Sequence, residues 1–199
     1  MTQKLYCYAD ETGHHNKDEL FIVGVVIVGD DRDDIEKILE LIERDTGKGK
    51  VKWSDADYKK RLAYMRRVCD FRLFRDKLYF VAYDKINAPV IQMVARGLAE
   101  AWHAHATGEV IAVAFIDGLP DAKVRDVVRQ LRDSDVPTEK VRGVSKDESF
   151  ALMRLADAIC GFVRGANIGQ SELTHLLERA IERGAIVDVG ENKKTHVDE

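Results

Sequence analysis

The run Lys4-Leu5-Tyr6-Cys7-Tyr8-Ala9, continued by Asp10-Glu11-Thr12-Gly13, decides how this chain is read. With period two, Leu5, Cys7 and Ala9 share one face of a strand, while Tyr6, Tyr8 and Asp10 share the other. Asp10 then stands at the carboxyl end of a strand, just before a turn at Gly13. That is where α/β folds gather ligand-binding side chains. Two later segments place Asp117 and Asp157 in similarly apolar settings.

Working outward, residues 20–28 are a β-branched run suited to a central strand, and the polar loop before them allows antiparallel pairing with the first. Residues 31–45 read as an amphipathic helix with a stripe of Ile35, Ile38, Leu39, Leu41 and Ile42. Gly47 and Gly49 mark a break, and Trp53-Ser54 leads into a second helix with Ser54 or Asp55 as a cap. A strand over 77–84 precedes a helix over 88–107, with Pro89 in its first turn and Gly108 as its stop. Residues 110–116 are seven consecutive apolar residues, as expected of a strand covered on both faces. A helix over about 120–132 and a short strand near Val141 follow. Ser145-Lys146-Asp147-Glu148 has capping-box spacing, opening a helix that runs to about Arg164. A last helix over about 171–183 and a short strand within 185–189 complete the pattern. Strands alternating with helices predict an α/β fold, a mixed sheet flanked by helices. Residues 1–189 read as one domain and 190–199 as a polar flexible tail.

The chain has 199 residues, 45% hydrophobic and 33% charged. A domain of this size buries about 70% of its unfolded surface. No apolar stretch reaches the ~20 residues that span a bilayer, and the N-terminus lacks a signal-peptide apolar region, so the expectation is a cytoplasmic protein without a membrane partner. Cys7, Cys69 and Cys160 show no paired spacing, which argues against a zinc or disulfide framework; Cys7 and Cys160 read as small core residues. The net charge of −4 gives no global argument for nucleic acid. Its distribution does: residues 1–45 carry 12 acidic and 5 basic side chains, and residues 48–77 carry 11 basic and 4 acidic. Lys48, Lys50, Lys52, Lys59, Lys60, Arg61, Arg66 and Arg67 belong to that basic segment, which could track phosphates or simply be a solvated helix face.

Asp117 follows directly on the 110–116 strand. If that strand lies parallel to and beside the first, Asp10 and Asp117 meet at one edge of the sheet; the alternative is a plain Asp-Gly turn. Asp157 lies inside a helix among Phe150, Met153, Arg154, Cys160, Gly161 and Arg164 on its face. A carboxylate turned toward a core needs a partner or a metal, and an ion pair with Arg154 one turn earlier is the alternative. Three carboxylates make a hard, oxygen-rich site that suits Mg²⁺ or Mn²⁺. Two ions held ~3.5–4 Å apart can activate a water and stabilise the leaving oxygen in phosphodiester cleavage. Glu11 or Glu148 could supply a further ligand or orient the water, although the capping box explains Glu148 equally well. His14 and His15 could assist proton transfer but read as solvent-exposed loop residues, and His103 and His105 are explained by a helix end. Trp53 and Tyr58 either stack on bases or are buried beside a helix start.

Tyr8-Ala9-Asp10-Glu11-Thr12-Gly13, followed by Phe21-Ile22-Val23-Gly24-Val25-Val26, resembles the opening of domain-of-unknown-function family 3800. Lys52-Trp53-Ser54, Phe115-Ile116-Asp117 and Leu155-Ala156-Asp157-Ala158-Ile159-Cys160-Gly161 resemble its later landmarks, in order, over about residues 4–166. The resemblance implies a ribonuclease H-like fold and a metal-dependent nuclease-type site. It implies Asp10, Asp117 and Asp157 as metal ligands, Glu11 as the second acid of the opening motif, and Lys52 and Ser54 near substrate phosphate. One departure stands out: Arg154 occupies a position where the family often has Gln, and could contact phosphate or neutralise Asp157. The leading expectation is a phosphodiesterase acting on RNA or single-stranded DNA by metal-activated water. The alternatives are a non-catalytic module binding nucleic acid or protein, and a small-phosphate hydrolase.

Overall fold

A computed structural model describes residues 2–13, 20–84, 88–145 and 150–190. Its centre is a six-stranded sheet. The strands are β1 (Gln3–Thr12), β2 (Phe21–Val28), β3 (Leu78–Tyr83), β4 (Val110–Asp117), β5 (Thr138–Val144) and β6 (Val187–Asp188), arranged β5-β4-β1-β2-β3-β6. β1, β2 and β3 form an antiparallel meander, whereas β4 lies parallel to β1 and β5 parallel to β4. The switch from antiparallel to parallel pairing occurs at β1, so its carboxyl end lies beside that of β4.

Among the described residues, six α-helices cover the two faces: α1 (Arg32–Asp45), α2 (Tyr58–Asp70), α3 (Val90–His105), α4 (Asp121–Asp133), α5 (Ala151–Asn167) and α6 (Ser171–Glu182). Alternation along β1 sorts its side chains as expected. Leu5, Cys7 and Ala9 join the core under α3 and α4, and Tyr8 joins the core under α1, α2, α5 and α6. β2 is buried along its whole length, which is why its sequence is apolar without alternation. Two glycines let helices approach it closely. A Cβ on Gly24 would lie 2.7 Å from the Ala156 carbonyl oxygen of α5, and one on Gly97 of α3 would lie 2.8 Å from Val81 on neighbouring β3.

Several local expectations are corrected. Leu41 is not part of the buried stripe of α1 but 46% exposed, and Glu43 is buried instead. Residues 53–55 form a separate 3-10 turn, and α2 opens after Asp57, so neither Ser54 nor Asp55 caps it. The capping box at Ser145 does not open α5, which begins at Ala151. The box residues Lys146, Asp147 and Glu148 lie outside the described residues. Glu36 of α1 takes over the role: its carboxylate accepts hydrogen bonds from the Ala151 and Leu152 N–H groups. A carboxylate there satisfies unpaired donors and complements the positive end of the helix. No helix among the described residues is long and apolar enough to cross a membrane.

Candidate active site

The site is built where β1 and β4 end. Ala9 pairs with Ile116 in the parallel register, so Asp10 and Asp117 are the next residues on adjacent strands. Tyr8 and Phe115, also paired, stack with ring centroids 5.0 Å apart and pack on the α5 side. Two residues further on, the pleat turns Asp10 and Asp117 to that same side. Glu11 points to the opposite side, where it borders a cavity of about 290 Å³ lined by Val90, Ile91, Val94 and Leu119.

α5 supplies the third carboxylate from above the sheet. Cys160 fixes the helix in place: its Sγ accepts a hydrogen bond from Gly24 N–H at 3.1 Å and donates to the Asp10 carbonyl at 3.1 Å. Asp157 lies one turn earlier on the same helical face and is held over the strand ends by that latch. One turn later, Arg164 donates to Thr12 Oγ1 at 3.2 Å. Asp157 Oδ2 accepts the Trp53 N–H at 2.7 Å. The Trp53 ring fills the notch left by Gly161, where a Cβ would lie 2.1 Å from the ring. Trp53 is therefore buried packing, not a platform for bases.

The carboxylates feel one another. Burial pushes Asp10 well above the usual carboxylate range, and the charges of Asp117, Asp157 and Glu11 push it further, against a hydrogen bond from Glu11 N–H. Burial also raises Glu11, helped by Asp117 and opposed by Lys52. Asp157 is raised by burial, with the Trp53 N–H, Lys52 and Lys48 working against the shift. Lys52 Nζ lies 3.2 Å from Asp117 Oδ2. Although burial opposes it, Lys52 is held above its usual value by Asp117, Asp10 and Asp157.

Such a donor set, all oxygen and short of positive charge, fits a hard divalent cation in chemistry. Among the described residues, no three His, Cys, Asp or Glu side chains are arranged so that they could hold an ion as they stand. The fit is thus one of charge and donor type, at a site whose acids come from two paired strands and a latched helix.

Other expected residues fall elsewhere. Arg154 is corrected: it is only 5% exposed and grips Glu43 of α1 rather than Asp157, Nε to Oε1 at 2.7 Å and Nη2 to Oε2 at 2.6 Å. Lys48 is corrected too, because it is buried rather than part of an exposed basic track. Its Nζ donates to the Val51 carbonyl at 2.8 Å and lies 3.7 Å from Glu43 Oε1. Lys50 is exposed and paired with Glu40 at 2.6 Å. The Ser54 hydroxyl is exposed and donates to Asp55 Oδ1 at 3.0 Å. His14, His15 and Glu148 lie outside the described residues. His103 meets the Ser134 carbonyl at 2.8 Å, and His105 meets the Asp76 carbonyl at 2.8 Å; both sit at the end of α3 away from the acids. Glu43 and Cys160 are positioning groups that the sequence expectations do not include. The spacing of Cys160, three residues after Asp157, was the available signal for the second.

No family model and no curated protein sequence matches the chain. Solved structures do. The ribonuclease H2 of Pyrococcus horikoshii OT3 superposes with a TM-score of 0.58 at 12% identity, over 93% of this chain and 90% of that one. Ribonuclease HII of Archaeoglobus fulgidus, from its complex with PCNA, gives 0.53 at 14% identity, over 98% and 97%. Bst ribonuclease HIII in complex with Mn²⁺ gives 0.50 at 16% identity, over 92% of this chain and 63% of that one. The fold is ribonuclease H-like.

Proposed function

We propose that this chain is a divalent-metal-dependent phosphodiesterase that cleaves RNA or single-stranded DNA. The observation that carries the reading is the pairing of Asp10 and Asp117 at the carboxyl ends of β1 and β4, with Asp157 of α5 near enough for its charge to act on Asp10. Ribonuclease HIII of the same fold is described with Mn²⁺, which supports the choice between Mg²⁺ or Mn²⁺ and softer metals. As part of the same proposal, the chain is placed with domain-of-unknown-function family 3800 on its ordered landmarks.

Asp10, Asp117 and Asp157 would hold the ion. Bound there, a divalent cation supplies Lewis acidity toward a phosphoryl oxygen and balances the carboxylate charge. Asp10 and Asp117 are held by the sheet, and Asp157 by the Trp53 N–H and the Cys160 latch, so little reorganisation is needed as charge develops. Lys52, half-exposed beside Asp117, offers a point charge to a phosphate oxygen. Burial raises the proton affinity of Glu11, which suits a group that takes up a proton at its carboxylate. Ser54 sits beside Lys52 on the same loop and would meet the strand rather than the ion.

End-labelled RNA, single-stranded DNA and RNA–DNA hybrid, incubated with protein and Mn²⁺ or Mg²⁺, test the reading. Cleavage of at least one strand is expected, stopped by EDTA and lost in Asp117→Asn. Cleavage that persists unchanged in Asp117→Asn, or an absence of cleavage with every substrate and metal, overturns it.

A further inference from the structure

We propose that Lys52 is a tethered counter-ion of the acidic cluster, carrying the positive charge that a divalent cation would otherwise bring and yielding when the ion binds. The proposal rests on reading the cluster as a cation site. Lys52 Nζ stands 3.2 Å from Asp117 Oδ2, and its charge also acts on Asp10, Asp157 and Glu11. The neighbouring lysines are engaged elsewhere, Lys48 beside Glu43 at 3.7 Å and Lys50 with Glu40 at 2.6 Å.

The backbone on both sides of Lys52 is pinned. Before it, the buried ammonium of Lys48 holds the Val51 carbonyl at 2.8 Å and lies 5.0 Å over the centre of the Tyr64 ring. After it, the Trp53 N–H is bonded to Asp157 and the Trp53 ring is locked against Gly161. The Lys52 side chain itself is 49% exposed. A fixed stem with a free head can withdraw its charge from Asp117 without moving the loop.

Ion and ammonium compete for one carboxylate, so their occupancies oppose each other. A phosphate that draws Lys52 away therefore raises affinity for the ion, and by linkage the ion raises affinity for the phosphate. Loading of the cation is thereby coupled to arrival of a phosphate-bearing substrate, and the idle protein holds the ion weakly.

The test is calorimetric titration of Mn²⁺ into metal-free wild type, Lys52→Met, Lys52→Gln and Lys52→Arg, each checked for folding by its thermal melt. Removal of the charge in Lys52→Met or Lys52→Gln is expected to tighten Mn²⁺ about 5-fold or more, within the usual range of coupling between sites. Lys52→Arg keeps the charge and is expected to stay near wild type. Affinity that is unchanged or weaker in both neutral variants overturns the counter-ion proposal while leaving the cation site intact. Absence of Mn²⁺ binding in every protein overturns the cation reading and this proposal together.

Discussion

Replacing Arg154 by Met separates a buried structural charge from a substrate contact. In the folded protein Arg154 is 5% exposed and Glu43 1%, and two hydrogen bonds of 2.6 and 2.7 Å join them. Met retains most of the apolar volume but leaves the Glu43 carboxylate buried without its bidentate partner. Breaking a buried pair from one side costs about 3–5 kcal/mol, because the remaining charge stays desolvated. Lys48, 3.7 Å from Glu43, offsets part of the loss and places the expected value near the lower end, about 3 kcal/mol. In a domain of this length, each kcal/mol moves Tm by about 2–4 °C, so a fall of roughly 6–12 °C is expected.

Urea denaturation at constant m, with a calorimetric melt beside it, measures the change. The triple variant Glu43→Leu/Lys48→Met/Arg154→Met removes the whole charged group and is expected to recover most of the lost stability, since apolar replacements of buried ion pairs are often neutral or better. A loss below about 1 kcal/mol in Arg154→Met, the usual scale of an exposed pair, together with weakened binding of a labelled strand, would instead return Arg154 to the substrate.

Asp10→Asn is expected to raise the Tm of the metal-free protein at neutral pH. Folding raises the Asp10 proton affinity, so its contribution to stability is present below its ordinary value of 3.8 and is lost as pH rises through the folded value. The gain from Asn should therefore grow across that window and vanish near pH 3, as a series of melts in EDTA would show; a lower Tm at pH 7.5 would contradict it. Gly161→Ala places a Cβ 2.1 Å from the Trp53 ring, and urea unfolding should register about 1–3 kcal/mol of overpacking. For binding of a labelled single strand, followed by fluorescence anisotropy against salt, Lys52→Met should flatten the log–log slope by about 0.7 and Lys48→Met should leave it unchanged, because only Lys52 is exposed to phosphate. An equal change in both would restore the basic track as a continuous surface.

Much of this arrangement is legible in the sequence because it is local. The alternation of Leu5, Cys7 and Ala9 against Tyr6, Tyr8 and Asp10 places Asp10 on the correct face of β1. The apolar run before Asp117 places it at the end of a doubly covered strand, and its parallel pairing with β1 then brings the two acids side by side. Misreadings occur where a distant residue outbids a near one. Arg154 has Asp157 within one helical turn, yet its partner is Glu43, 111 positions away. Ser145 begins a capping box by spacing, yet α5 is capped by Glu36, 115 positions from Ala151. Lys48 counts as a surface charge in any tally of the basic segment, but the Val51 carbonyl, Glu43 and the Tyr64 ring together compensate its burial. Periodicity carries the face of an element and says nothing about which partner the folded chain brings to it.

On the proposed function, Asp10, Asp117 and Asp157 would form a single cation site. Crystals soaked in Mn²⁺ and measured for anomalous scattering address it most directly. A Mn²⁺ peak is expected that touches all three carboxylates, directly or through waters, with the Lys52 ammonium withdrawn from Asp117. A saturating soak that leaves no peak among these residues, or a peak held elsewhere with the Lys52–Asp117 pair intact, would contradict it.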